Sequence, residues 1–407
     1  MNRSLKGVKV IIIGAGPGGL TFAKGARAHG ATVEVIEQAG DPRGDNPGYT
    51  DRSFNLTLNC VGRRVLGDPR IWDGSTSVIG RAVHDFTNVS KVTYASPGDD
   101  EATNLTSVPR PVLRQNMVTW VNANGVELRF HTRVTSIDAD AGMLQVITET
   151  GEQQSLSADL IVVADGVHSL GDQHIVDVLG GSLNTRVEPL SYVGVQLSEA
   201  ACHGMSMHHI HFWQKPETDA VAIGLPNANG TIAALLVSHF DDVAIDESPF
   251  ATLELATKRL QRDFPQLLEI EPDLAHQVLG RARGQFYYKS ITDYVLGKKC
   301  VIVGDAGSAS PPWAGFGANT AIYSADALVR FIVGLPDLGQ ALNSYQQHKR
   351  VLAELVLDYA SQHGEFLNKE VTKNPQQRPI GPVLGQLVNE SLAKSEIPAG
   401  VELLSFN

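Results

Sequence analysis

The chain is 407 residues long and has only three cysteines, Cys60, Cys202 and Cys300. They are few, odd in number and widely spaced, which implies a reducing compartment and forms no metal motif. No apolar run approaches the roughly 18 residues needed to span a bilayer. The N-terminus runs straight into an apolar strand, leaving no room for a signal peptide, so a cytoplasmic location is expected. Runs of Lys and Arg are also missing, and the net charge is -11. That balance argues against nucleic acid or an anionic membrane as partner. No internal repeat is apparent. What remains, with 43% apolar and 19% charged residues, is a soluble globular chain with enough length for two or three domains and a sizeable core.

Against these absences one stretch stands out, Val8–Glu37. Val8 to Ile13 is a β-branched apolar run that reads as a buried parallel strand. Gly14, Gly16 and Gly19 follow in the spacing G-x-G-x-x-G, with Gly18 inside the turn. Leu20, Phe22, Ala23 and Ala26 then recur with a helical period, and a second strand, Thr32–Ile36, ends at Glu37. Gly14 permits the tight turn, Gly16 lets a pyrophosphate approach the backbone, and Gly19 lets helix and strand pack closely. The helix N-terminus offers free N–H groups and a partial positive charge to phosphates. Glu37 is placed to accept hydrogen bonds from a ribose diol. A lone glycine fingerprint is weak. One lying between strand and helix, with an acid closing the next strand, reads as dinucleotide binding.

Along the chain, Ala39–Asp51 is a polar surface loop. Arg52–Leu66 mixes a short apolar segment with the start of a helix, and Arg81–Tyr94, with Val83, Phe86, Val89 and Val92, reads as strands leaving the nucleotide domain. Ser107–Val121 suits a helix, and Val126–Phe130, Thr132–Asp138 and Leu144–Glu149 read as short strands. Leu160–Ala164 is another buried strand, ending at Asp165-Gly166. From about Val187 to Arg281 the texture changes to antiparallel strands, with a turn at Asn227–Gly230 and an amphipathic helix at Phe250–Phe264. Lys299–Val303 is again a buried strand, followed by Gly304-Asp305, a glycine-bearing loop at Pro311–Asn319, a helix at Thr320–Val333 and a long helix at Ser344–Phe366. The expected division is a nucleotide-binding domain over 1–80, 107–186 and 285–340, a second domain over 81–106 and 187–284, and a helical segment over 341–407. Among the 13 histidines, His209 and His211 share a strand face and His208 points away; no third ligand is evident, and no metal is expected.

Three separated pieces point to one ligand: the Gly14–Gly19 loop with Glu37, the strand ending at Asp165-Gly166, and the strand ending at Gly304-Asp305. All lie at strand carboxyl ends, where open parallel sheets bind ligands. An Asp there can take a ribityl or ribose hydroxyl, although either Asp alone would more often be a helix cap or turn residue. A glycine-rich loop running into a helix can offer N–H groups to the carbonyl edge of a flavin.

In these pieces the chain resembles the single-component (group A) FAD-dependent aromatic hydroxylases, whose fingerprints are the glycine loop, a DG motif and a GD motif. Within them it is most similar to kynurenine 3-monooxygenase and its relatives in secondary metabolism. The resemblance runs from the N-terminus to about residue 366, through RSFNLTL at Arg52–Leu58, GRAVHD at Gly80–Asp85, VAIGLPNANGTIAALL at Val221–Leu236 and GDAGSASPPWAGFGAN at Gly304–Asn319. The implied fold is α/β: a Rossmann-like FAD-binding domain interrupted by an antiparallel-sheet substrate domain, with C-terminal helices, as in p-hydroxybenzoate hydroxylase. The implied cofactor is FAD, with NADPH or NADH as co-substrate. The implied partners are a small aromatic molecule and O2, without nucleic acid or membrane anchor, in a monomer or homodimer.

The resemblance also assigns residues. Glu37 would bind the adenosine ribose with Gln38 and Thr57 nearby, Val134 would lie along the adenine, and Arg110 would contact the flavin or its phosphates. Asp305, Gly317, Ala318 and Asn319 would hold the ribityl chain and ring. Arg81 and Tyr94 would bind a substrate carboxylate, by two parallel guanidinium bonds and a phenol. Pro312, Trp313 and Phe316, with the inner face of the 187–281 sheet, are candidates for the wall beside the flavin. The chain departs from the kynurenine enzymes where a polar Asn becomes Tyr359, where the loop reads Trp313-Ala314-Gly315-Phe316-Gly317-Ala318-Asn319, and where the His after the GD motif is Ser308. These changes keep the flavin loop and reshape what faces the ring.

The implied reaction is hydroxylation through a flavin C4a-hydroperoxide, with a kynurenine- or tryptophan-derived or other biosynthetic aromatic acid as substrate. A non-oxygenating FAD oxidoreductase on the same scaffold and an inactive flavin-binding module are the alternatives. The W-x-W-x-I-P motif of flavin halogenases is absent, and so is a second glycine fingerprint for a nicotinamide dinucleotide.

Overall fold

Lys9–Ile13 forms the anticipated strand, with Val10 to Ile13 all buried. It pairs in parallel with Thr32–Ile36 on one side and Leu160–Val163 on the other. A strand covered on both faces has no reason to alternate, which is why it reads as a continuous apolar run. Each such Val or Ile withdrawn from water contributes about 1.5–3 kcal/mol. The six-stranded nucleotide sheet has the order Val295–Leu296, Cys300–Ile302, Leu160–Val163, Lys9–Ile13, Thr32–Ile36, Glu127–Arg129. Only the first pairing is antiparallel. In this computed structural model, residues 3–44, 54–85, 91–95, 104–214, 218–240, 244, 247–369 and 383–406 are described, 365–369 by their backbone alone. Phe86 and Val89, most of the expected Ala39–Asp51 loop, and part of the C-terminal tail lie outside those residues.

Two helices meet behind this sheet. Pro17–Ala28 packs along Gly317–Gly334, and small residues set their separation. A Cβ on Gly18 would stand 3.4 Å from Ala321, and one on Gly25 would stand 2.7 Å from Val329. The close approach brings the N-termini of both helices to one side of the sheet. The N-terminal helix begins at Pro17 without a side-chain cap, and the other begins at Gly317, likewise uncapped. The backbone N–H groups of each first turn, apart from Pro17, which has none, are therefore left for a ligand or solvent.

The second layer is an eight-stranded sheet ordered Ser308–Ala309, Gly284–Ile291, Leu183–Leu197, Ile232–Ser238, Val221–Pro226, His209–Gln214, Gly80–His84, Val92–Ala95. All its pairings are antiparallel except that of His209–Gln214 with Gly80–His84. Side chains alternate across it. Trp213, Ala222, Ala234 and Leu236 turn to one face, where Leu253–Asp263 and the short helices after it cover them. Arg81, Phe212, Ile223 and Leu235 turn to the other face, toward the nucleotide sheet.

The elements differ from the sequence reading at several edges. Gly284–Ile291 is a strand of the large sheet, paired along Leu183–Leu197, so that sheet takes in chain on both sides of 187–284. Its Tyr287, Tyr288 and Lys289 hide the apolar alternation, because Lys289 is buried in an ion pair. Leu105–Pro109 is a strand pairing with Asn55–Leu58, which delays the following helix to Arg110–Ala123. The long helix spans Leu338–Lys369. The unplaced tail contributes a helix, Val383–Lys394, and then turns back. Phe406 packs over Gly385, and its N–H donates to Asn389 Oδ1 at 2.8 Å.

Candidate active site

Two cavities adjoin at the carboxyl ends of the nucleotide strands. One, of about 410 Å3, lies over Gly14–Pro17, Glu37 and Val134. The other, of about 520 Å3, runs from Gly16–Gly18 past Asp305 and Gly317 to the large sheet. Gly16, Pro17, Arg110, Ala164, Gly166 and His168 line both, so the two form one groove.

Glycines shape the first end. Gly14 has φ +101°, and a Cβ there would lie 2.4 Å from the Ala164 carbonyl oxygen. Gly19 does not reach the groove; its missing Cβ would lie 2.2 Å from the Gly14 carbonyl oxygen, so it serves helix–strand packing. Gly16 is different. No atom lies within 4 Å of where its Cβ would be, and the space opens into the groove. Backbone N–H groups at an uncapped helix start beside such a space suit a diphosphate. Glu37 is buried and braces this loop, accepting from the N–H of Ala15 at 2.9 Å and of Ala39 at 2.8 Å. Arg114 Nη2 stands 3.5 Å from the same carboxylate. Each carboxylate oxygen accepts more than one bond, so Glu37 keeps capacity for a ribose hydroxyl. Gln38 and Val134 line the same cavity.

At the second end, Asp305 follows the strand Cys300–Ile302 in a tight turn and is exposed to the groove. Its position deep in the fold raises its pKa, opposed by the positive charges of Arg110, Lys349 and Lys289. The loop after it turns through Pro312–Ala314 and then Gly315, whose φ of +65° and clearance from Thr57 Oγ1 exclude a side chain. Gly317 and Ala318 line the groove at the start of their helix.

Some predicted residues sit elsewhere. Asn319 holds the loop together with its side chain: Nδ2 donates to Thr57 O at 2.7 Å and Gly315 O at 3.0 Å, while Oδ1 accepts the Asn59 N–H at 3.0 Å. Thr57 belongs to this loop, not to the Glu37 end where the resemblance put it. Asp165 lines the first cavity, but its carboxyl accepts the Leu170 N–H at 2.8 Å and caps a turn. Burial raises its pKa.

The wall beside this loop is built partly by the large sheet, through Tyr192 and Phe286. Phe54, Tyr192, Phe286 and Trp313 contact in series, with ring centroids 5.8, 4.8 and 4.7 Å apart. Across from them Phe316 stacks on Tyr359 at 5.4 Å, and Tyr359 on His363 at 5.6 Å. Arg81 lines this mostly apolar space while only 4% exposed. Burial lowers its guanidinium to about 10, opposed by the nearby Tyr359, so it is charged at neutral pH.

Tyr94 does not join Arg81. Strand register pairs Arg81 with Ala95 and Tyr94 with Ala82, which sends Tyr94 to the opposite face, 45% exposed and edge-on to His209. On that face His84 Nε2 and His211 Nδ1 are 2.8 Å apart, and His211 Nε2 bonds Ser206 O at 2.8 Å. Burial pushes these rings down to about 3 and 4, so both are neutral. Both His211 nitrogens are occupied, and among the described residues no group of three His, Cys, Asp or Glu could hold a metal ion.

Residues missed from the sequence include Arg114, whose helical offset of four from Arg110 was a readable signal. Phe54 and Phe286 were also missed, and Tyr192 was anticipated only as part of the inner face of the 187–281 sheet; their convergence depends on pairing between distant strands. Among the described residues no helix is long and apolar enough to cross a membrane.

A groove with a phosphate-suited helix start at Gly16, a ribose-suited carboxylate at Glu37 and a cavity-facing carboxylate at Asp305 fits an extended FAD. Fold and site thus define a dinucleotide-binding flavoprotein with an aromatic-lined second chamber. The family described as FAD binding domain matches residues 7–360. Kynurenine 3-monooxygenase of Salinispora arenicola is 26% identical over 389 residues, covering 91% of this chain and 82% of that protein. The corresponding enzyme of Salinispora tropica is 27% identical over the same shares. Among solved structures, the tetrameric form of 2-methyl-3-hydroxypyridine-5-carboxylic acid oxygenase superposes with a TM-score of 0.73 at 18% identity, covering 97% of this chain and 99% of that one. HpxO of Klebsiella pneumoniae, complexed with FAD and uric acid, superposes with a TM-score of 0.72 at 18% identity, covering 95% and 97%. The chain belongs to the FAD binding domain family and is an FAD-dependent aromatic hydroxylase of the group A type.

Proposed function

We propose that the protein hydroxylates an aromatic acid, with NADH or NADPH as reductant and O2 as oxygen donor. The single observation that carries the substrate class is Arg81: a charged guanidinium, nearly sealed from solvent, in a chamber lined mostly by apolar and aromatic groups. Its placement supports two parallel bonds to a carboxylate, which fix a planar substrate in orientation as well as position. The aromatic series from Phe54 to Trp313 offers the ring a flat contact surface. A kynurenine- or tryptophan-derived acid, or another biosynthetic aromatic acid, fits this description.

Bound FAD supplies the redox chemistry and activates oxygen. The chain binds, orients and shields. In this reading the N–H groups at Gly16 hold the diphosphate and Glu37 the adenosine ribose, with Val134 along the adenine. Asp305 would accept from the ribityl chain, and the N-terminus of Gly317–Gly334 would offer its N–H groups to the ring. Arg110, lining both cavities, serves the phosphates or flavin. Trp313, Phe316 and Pro312 would exclude water from the flavin end of the chamber and help hold the substrate ring in place. Ser308 and Tyr359 stand where kynurenine hydroxylases carry His and Asn, so a substrate other than kynurenine is favoured.

Arg81→Met is expected to raise KM for an acidic aromatic substrate about tenfold to a hundredfold, the range of a lost charge-assisted bond. The flavin absorption spectrum should stay unchanged. An unaltered KM would place the carboxylate elsewhere or make the substrate neutral.

A further inference from the structure

Lys349 sits on the helix Leu338–Lys369 and is only 1% exposed. Among the described residues its Nζ has one hydrogen-bond partner, the Ser308 hydroxyl at 2.8 Å, and no ion pair. The Tyr294 ring lies 5.7 Å away. A buried ammonium with one neutral acceptor is costly and calls for a nearby carboxylate. Lys289, equally buried, has its own: Asp172 at 2.7 Å, with the Val167 carbonyl at 2.8 Å. The carboxylate whose field favours the charged form of Lys349 is Asp305, and Lys349 favours ionised Asp305 in return. Ser308, the contact of Lys349, closes the same turn that presents Asp305 to the groove.

Asp305 faces open space in the groove, and a flavin laid over it removes its water. A carboxylate stripped of water needs a counter-charge. Lys289 is already neutralised by Asp172, and Arg110, whose charge also favours ionised Asp305, lies exposed along both cavities rather than in the core behind the turn. We propose that Lys349 is the buried counter-charge of Asp305 and a positioning residue of the FAD site: through Ser308 it fixes the Gly304–Ser308 turn, and through its charge it keeps Asp305 an ionised acceptor under the flavin. This rests on the reading that Asp305 faces the flavin.

Burial lowers Lys349 to about 8, which puts loss of its charge within reach of experiment. The groups packed around it do not compete. Tyr294 and Tyr345 are raised by burial, His348 is lowered to about 4, and Arg350 pairs with Asp293 at 3.1 Å. Because the protonated amine is the form that favours FAD, affinity is full below about pH 8 and falls as pH rises through it.

The test is a fluorescence titration of the deflavinated full chain with FAD from pH 6.5 to 9.5. The wild-type Kd should be flat at the acid end and rise about tenfold at the alkaline end. Lys349→Met should bind about tenfold more weakly at neutral pH with a flat profile, and Lys349→Arg should restore tight binding while also removing the rise. Asp305→Asn should abolish the rise as well, so the inference stays testable if Lys349→Met does not fold. A flat wild-type profile, or an undiminished rise in Asp305→Asn, overturns it. Failure of the wild-type chain to bind FAD at any pH would overturn the flavin-site reading itself, and this inference with it.

Discussion

Asp305→Ala is expected to strip FAD from the purified protein. The carboxylate is exposed to the groove, deep in the fold, and surrounded by the positive charges of Arg110, Lys349 and Lys289. A hydrogen bond to a charged acceptor in such a setting contributes about 1.5–3 kcal/mol, or about tenfold to a hundredfold in Kd. Removing the acceptor also leaves the buried Lys349 without a facing carboxylate, which adds to the loss. Flavin content per chain after gel filtration checks the prediction, with a thermal melt of the FAD-free protein as control for folding. Full flavin occupancy in the variant would remove Asp305 from the cofactor site.

Gly14→Ala and Gly16→Ala should separate two roles within one loop. At Gly14 a side chain meets both a φ of +101° and the Ala164 carbonyl oxygen at 2.4 Å. Backbone strain and overpacking each cost about 1–3 kcal/mol, a large part of the roughly 5–15 kcal/mol that keeps a domain folded. Gly14→Ala should therefore lower the melting temperature of the FAD-free protein and reduce soluble yield. At Gly16 φ is -83° and the Cβ position is open. Gly16→Ala should fold like the parent and bind FAD more weakly, because the methyl occupies space a diphosphate would use. Equal melting temperatures for the parent and Gly14→Ala would contradict the first half. Undiminished FAD affinity in Gly16→Ala would contradict the second.

The nucleotide half was legible because its signals are local. An apolar strand, a glycine turn and a helix start all fall within Val8–Glu37, and each glycine has a separate steric reason that neighbouring residues announce. The Gly304–Asn319 loop was legible in sequence order, but its internal bracing was not. Asn319 reads as a flavin contact until Thr57 O, Gly315 O and the Asn59 N–H are seen to consume its side chain. Thr57 was misplaced for the same reason: its neighbours at Gly315 and Asn319 are remote in sequence.

The substrate end shows the limit more sharply. Arg81 stands in the aromatic chamber, and Tyr94, assigned beside it by resemblance, does not. In a strand, a slip of one residue reverses the face, so spacing alone cannot choose between the two. Likewise Gly284–Ile291 escaped notice because its central lysine looks solvent-facing, whereas Lys289 is buried against Asp172.

The most direct test of the central claim is the rate of NADH and NADPH oxidation by FAD-loaded protein, with and without a panel of aromatic acids, with product mass recorded. A hydroxylase of the kind proposed predicts that at least one acid stimulates oxidation and leaves heavier by one oxygen atom. Stimulation without oxygen gain by any acid, or stimulation confined to neutral aromatics, would contradict it.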